Sequence, residues 1–256
     1  MKRPFLFAGT VLVLLTLAGC SFNIYEMGLP LVPTVTPTPI PTKAATATPT
    51  LLPKAEKTEG IIQTGQLENG ATRMVDTELG YQAVFPSEWL VIGLDGGVET
   101  QLSDVFGAEV PEGILARVNI ARSAKGARAI ALDYTGHFYE MGEFNANIQV
   151  AFSPNPASME LEADFLIDGF VSSMATQEPD SSVIYEVVQI NPHGIEYGKM
   201  IVTYPREIFG LPGKQMVVIL KLADGLLTLT GSAVEEEFQL VEQDFQRVVD
   251  SIELVQ

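Results

Sequence analysis

Between Val234 and Ile252 the chain sets Val234, Phe238, Val241, Phe245, Val248 and Ile252 at successive spacings of four, three, four, three and four. An α-helix gathers such a series on a single side, because its period stacks positions three and four apart. The other side carries Glu235, Glu236, Gln239, Glu242, Gln243, Gln246 and Asp250, all polar. A helix of this kind needs another apolar surface to lie on, so the rest of the domain has to supply one. Ser232-Ala233-Val234-Glu235 reads as a capping box, the Ser232 hydroxyl accepting from the N3 amide while the Glu235 carboxylate reaches back.

The surface is written immediately upstream. Met216 to Leu222 and Leu226 to Thr230 are β-rich runs joined through Asp224-Gly225, a dipeptide that tolerates the positive φ angles of a tight hairpin. Ser182 to Ile190 and Ile195 to Tyr204 flank the turn Asn191-Pro192-His193-Gly194, with Met200, Val202 and Tyr204 alternating on one face. Four consecutive antiparallel strands are predicted. A second helix is expected from Met159 to Met174 behind Ser158 as N-cap, with Ala163, Leu166, Ile167, Phe170 and Met174 inward. A third is expected over Ala127 to Met141, with Ile130, Ala131, Tyr134, Phe138 and Met141 on one side. Tyr81 to Phe85, Trp89 to Ile92 and Leu115 to Ile120 read as strands. The expected class is α+β, an antiparallel sheet with helices packed on its faces.

Two segments carry a family resemblance. "GYQAVFPSEWLV", Gly80 to Val91, resembles the opening strand, turn and second strand of PsbP-like domains, with Phe85 where that turn usually has tyrosine. "LLTLTGSAVEEEFQLVEQDFQRVVDSIEL" is similar to that family's last strand, its acidic loop into a helix and its closing segment. The resemblance implies a PsbP-like α/β/α sandwich and a non-enzymatic accessory or binding role. It carries over no catalytic residue. The stretch from Asp95 to Pro156 is longer than the family's usual connection.

The other end of the chain is not built to fold. Lys2 and Arg3 precede an apolar stretch, Phe5 to Leu17, too short for a comfortable membrane span, and small residues follow at Ala18 and Gly19. Leu17-Ala18-Gly19-Cys20 resembles the lipobox of bacterial lipoproteins. That resemblance implies a signal over 1–19, cleavage before Cys20, and a diacylglyceryl group on the Cys20 thiol. The alternative is an uncleaved N-terminal membrane helix with an incidental cysteine. Cys20 is the only cysteine, so no disulfide, cysteine zinc site or thiol nucleophile is available to the domain. Ser21 is not the aspartate associated with inner-membrane retention, so an outer membrane is allowed.

Residues 20–59 are read as anchor and linker. From Pro30 to Pro53 proline and threonine alternate with almost no charge, and proline fixes φ and removes backbone donors. At about 3.1 Å per residue such a stalk reaches on the order of 70 Å. The remainder, 60–256, suits one α+β domain with an enlarged middle region.

Composition narrows the partners. The formal net charge is −17, and loss of Lys2 and Arg3 with the signal takes it to −19. Such a surface repels phosphate backbones, so nucleic acid is excluded as a partner. His137 and His193 have no H-x-x-x-H, C-x-x-C or D-x-D-x-D-G companion, and no metal or cofactor is expected. Glu235 to Glu237 and Glu242 to Asp244 could offer oxygen ligands to calcium, but helix capping and a solvated face explain them. Asp95-Gly96-Gly97 reads as a turn. No G-x-S-x-G elbow or phosphate-binding glycine loop occurs, and no catalytic residue is selected. Trp89 is read as core and Pro86 as shaping a turn. The functional expectation is a lipid-anchored, extracytoplasmic, non-catalytic binding or assembly domain with an envelope protein partner. The alternatives are a small-ligand or cation-binding lipoprotein for transport, and an envelope hydrolase with a carboxylate pair. Acidic side chains that converge favour those alternatives, and acidic side chains that spread favour the first.

Overall fold

The computed structural model describes residues 61–133, 146–204, 212–222 and 225–255. The expected signal, Cys20, the linker, His137 and Asp224 lie outside those residues. In chain order the elements are β1 (Ile62–Gln66), β2 (Thr72–Asp76), β3 (Tyr81–Phe85), β4 (Trp89–Gly93), α1 (Val98–Phe106), α2 (Glu112–Ser123), β5 (Ala127–Asp133) and β6 (Asn147–Pro154). A 3-10 turn at Pro156–Glu160 leads into α3 (Ala163–Gln177), β7 (Ser182–Ile190), β8 (Glu196–Tyr204), β9 (Gly213–Leu222) and β10 (Gly225–Val234). The chain closes with α4 (Glu235–Asp250) and β11 (Glu253–Leu254).

The class is α+β, and the strands divide into two antiparallel sheets: β1-β2-β3-β11, and β4-β5-β6-β10-β9-β8-β7. The division happens at Pro86. Trp89 N–H donates to the Pro86 carbonyl at 3.1 Å, closing a turn after β3 that sends β4 into the other sheet. The large sheet is covered on both faces. On one face α4 and the small sheet bury Met74, Tyr81, Phe85, Trp89, Val218, Leu229, Phe238, Phe245 and Val248. On the other, α1 and α2 sit over β4 and β5, and α3 sits over β7, β8 and β9.

Two glycines let the helices approach. A Cβ at Gly231 would stand 2.7 Å from the Phe245 ring, and one at Gly198 would stand 2.6 Å from Ile167 Cγ1. Each clears space on a different face, one for α4 and one for α3. Side-chain pairs complete the packing: Trp89 and Phe238 both meet Phe245 edge-on, with centroids 5.6 and 6.1 Å away.

The two sheets are also joined by charge. Arg128 on β5 donates from Nε to Asp76 Oδ2 and from Nη2 to Asp76 Oδ1, each at 2.8 Å, and its Nη1 lies 2.9 Å from Glu78 Oε2. The Asp76 side chain is 0 % exposed and also accepts from the Glu78 and Leu79 amides. A buried carboxylate is tolerable because it is fully hydrogen-bonded.

The four predicted strands from Ser182 onward are present, and the stripe of α4 is buried from Phe238 to Val248. Ala163, Leu166, Ile167, Phe170 and Met174 are buried as predicted for the second helix. Five expectations are corrected. Leu115 to Ile120 is helical, inside α2, where Ile114, Val118 and Ala121 are buried at spacings of four and three. Ala127 to Asp133 is a strand, not the start of a helix, because β5 is an inner strand with Ala129 to Leu132 buried on both faces. Ser158 lies in the 3-10 turn, donating from Oγ to the Asn155 carbonyl, and α3 begins after Glu162. Ser232 does not cap α4. Pairing of β10 with β9 runs on to Val234 opposite Gly213, which keeps Ser232 in the ladder, and α4 starts at Glu235 without a side-chain cap. In the hairpin, Gly225 itself pairs with Leu222, one step into the strand from its predicted place in the turn.

A candidate binding face at the edge of the large sheet

The described residues weighed as site candidates do not come together. Trp89 is buried against Phe245, with Nε1 3.4 Å from Asp244 Oδ2, and Pro86 shapes the turn before it. His193 occupies the β7–β8 turn, 3.2 Å from Glu253 Oε2. Asp95 accepts through Oδ2 from the amides of Ile61 and Ile62, so the Asp95-Gly96-Gly97 turn ties β1 to β4. The acidic residues of α4 spread to separate partners: Glu235 to Lys214 at 3.1 Å, Glu242 to Lys199 at 3.6 Å, Asp244 to Arg247 at 2.7 Å. Among the described residues no group of three or more His, Cys, Asp or Glu side chains could hold a metal ion.

What the fold does gather is a polar network beside a free sheet edge. The large sheet ends in β4 on one side and β7 on the other. β4 packs against β1 and β2 of the small sheet, whereas β7 has strand β8 on one side and, among the described residues, no strand on the other. Its side chains alternate between two environments. Tyr185, Val187 and Gln189 lie on the α4 side opposite Ile201, Lys199 and Tyr197, and Glu186 and Val188 lie on the α3 side opposite Met200 and Gly198.

On the α4 side the flank of the helix meets the strands through a chain of hydrogen bonds. Lys199 Nζ donates to Gln246 Oε1 at 2.9 Å, and Gln246 Nε2 donates to Tyr197 Oη at 3.0 Å and Asp250 Oδ1 at 2.8 Å. Tyr197 Oη in turn donates to Gln189 Oε1 at 2.7 Å. Lys199 is buried, and its ammonium lies 5.9 Å from the centroid of the Tyr185 ring. Burial above all, with the Asp250 and Tyr185 charges adding to it and the Gln246 bond opposing it, raises the Tyr197 pKa. The phenol therefore stays protonated and holds its bonds at neutral pH. These contacts tie β7 and β8 to α4 and leave the far side of β7 open.

That open side is apolar where surfaces are ordinarily polar. Ile184 is 56 % exposed and Ile190 69 % exposed, with Tyr185 also exposed between them. From Glu178 to Glu196 the chain carries Glu178, Asp180, Glu186 and Glu196 and no Lys or Arg. Sequence reading placed the strand correctly but did not single it out. Its signal was present in that charge bias and in the run Val187-Val188, apolar on both faces of a strand. Only the order of strands reveals that it is an edge.

No family model matches the chain, and no curated protein matches it. Solved structures do. Cyanobacterial PsbP (CyanoP) from Synechocystis matches with a TM-score of 0.45 and 16% identity, over 73% of this chain and 93% of that one. LpqN, described as involved in cell envelope biogenesis of Mycobacterium tuberculosis, matches with a TM-score of 0.43 and 6% identity, over 78% of this chain and 93% of that one. Likenesses at this level establish neither family membership nor function.

Proposed function

We propose that this chain is a bacterial cell-envelope lipoprotein, anchored outside the cytoplasm through lipidated Cys20, that displays a non-catalytic binding domain on an extended stalk. The parts follow from the sequence: a signal over 1–19, an anchor and Pro/Thr-rich linker over 20–59, and the α+β domain over 60–256. The observation that carries the binding role is the free β7 edge, where Ile184, Tyr185 and Ile190 are exposed and Gln189 is tied to α4 through Tyr197 and Gln246. An edge strand that exposes apolar side chains on both of its faces suits association more than chemistry. Spread, individually partnered carboxylates favour the same reading over a hydrolase.

The test is an affinity capture from solubilised envelopes with the full chain as bait, run beside Ile190→Lys. A protein retained by the native chain and lost with Ile190→Lys supports the face. Equal capture by both moves the binding site elsewhere on the domain.

One observation favours a second reading, a small-ligand-binding domain. Thr228 Oγ1 on β10 and Gln149 Oε1 on β6 share the α3 side of the large sheet, and both are buried without a hydrogen-bond partner. A hydroxyl-bearing ligand would satisfy them.

A further inference from the structure

We propose that β7 binds its partner by strand addition, and that the added strand is an extended basic segment of another protein. The inference rests on the binding-face reading above and specifies its mode. A strand hydrogen-bonded on one side presents unpaired N–H and C=O groups along the other, which is the template that an extended peptide uses. β7 spans Ser182–Ile190, and its pairing with β8 passes from Val183 to Tyr185, leaving Ile184 as a bulge. A bulge bends the strand and interrupts its regular pairing, so the regular template is the six residues Tyr185 to Ile190.

Charge selects the occupant. The added strand would run beside Glu186, with Glu178, Asp180 and Glu196 close in sequence and Glu242 and Asp250 on the flank of α4. Among the described residues the cation across from β7, Lys199, is buried and already engaged by Gln246 and Glu242. A second copy of this chain would bring the same acidic edge against itself, in a molecule of net charge −17. A basic segment meets complementary charge instead, since opposite charges directly across a pair of strands attract and like charges repel. Apolar residues opposite Tyr185, Val187, Val188 and Ile190 would cover the exposed side chains.

An antiparallel partner matching this template reads Ile-Thr-Val-Val-Lys-Tyr, its lysine opposite Glu186. The probe is that peptide with one further lysine at each end, acetylated and amidated, titrated against the full chain in detergent micelles and followed by amide hydrogen exchange. The expected result is protection of Tyr185 to Ile190 that weakens with salt, and loss of affinity when the central lysine is replaced by glutamate. Glu186→Lys, at an exposed position, should reverse the preference between the two peptides, by about fivefold for a directly paired charge.

Protection confined to other elements, or no protection at all, overturns the proposal. Concentration-dependent protection of β7 without peptide overturns it in favour of a second copy. If an envelope protein is captured through Ile190 while the peptide leaves β7 unprotected, strand addition fails and the binding face stands.

Discussion

Two buried polar side chains, neighbours across β2 and β3, are handled in opposite ways. Asp76 is charged and surrounded by donors; Tyr81, paired with it in register, is fully buried with no partner for its hydroxyl. Burial chiefly, and the Asp76 carboxylate beside it, push the Tyr81 pKa far above that of a free phenol, with Arg128 opposing. The sign of the linkage follows. A raised folded pKa means that the native state holds its proton more tightly than the unfolded chain, so this contribution is complete below the unfolded value of about 10 and is lost as pH climbs beyond it. Tyr81→Phe keeps the ring and removes the unpaired hydroxyl. It should stabilise the domain at pH 7 by about 1 kcal/mol and flatten the decline in stability above pH 10. Urea denaturation of both proteins at neutral and alkaline pH checks this; a Tyr81→Phe protein less stable at pH 7 would mean that the hydroxyl has a partner after all.

At the scale of elements, α4 is where sequence and structure agree most closely, because a one-sided helix on a sheet leaves a periodic trace. Phe245 sits at its centre, between Trp89, Phe238 and the backbone of β10 at Gly231. Phe245→Ala should cost about 3–5 kcal/mol. Gly231→Ala should destabilise too, since its Cβ would stand 2.7 Å from that ring, yet combined with Phe245→Ala it should cost little more than Phe245→Ala alone. Additive losses in thermal or urea unfolding would show that the two residues do not touch. Where elements were misread, the trace was missing for a physical reason. Inner strand β5 is apolar on both faces, so Ala129 to Leu132 show no alternation, and α2 leaves Leu115 and Ile120 exposed, which blurs its stripe into something strand-like. Ser232 carried a valid capping pattern, but ten paired residues between β9 and β10 outweigh one side-chain bond.

For the molecule as a whole, the candidate face was not legible, because being an edge is a property of strand order. Nothing within Ser182 to Ile190 says whether a neighbour lies on one side or two. Lys199 and Gln246 are equally silent, being 47 positions apart and joined only when α4 lies beside β8. The start of the chain is the reverse case: the readings of Cys20 and the Pro/Thr stretch rest on local chemistry alone and need no fold. If Cys20 carries two acyl chains, membrane attachment belongs to that residue, since each buried CH₂ contributes about 0.8 kcal/mol and a single chain holds only marginally. No helix among the described residues is long and apolar enough to cross a membrane. Cys20→Ala should therefore abolish labelling by radioactive palmitate and shift the protein from the membrane fraction to the soluble one, or leave it as the unprocessed precursor. The folded domain should be unaffected, with the same unfolding midpoint as the native chain, because 20–59 is read as anchor and linker and not as part of the folded domain. Continued labelling and normal processing of Cys20→Ala would remove the anchor from the account and return 1–19 to the reading of an uncleaved membrane helix.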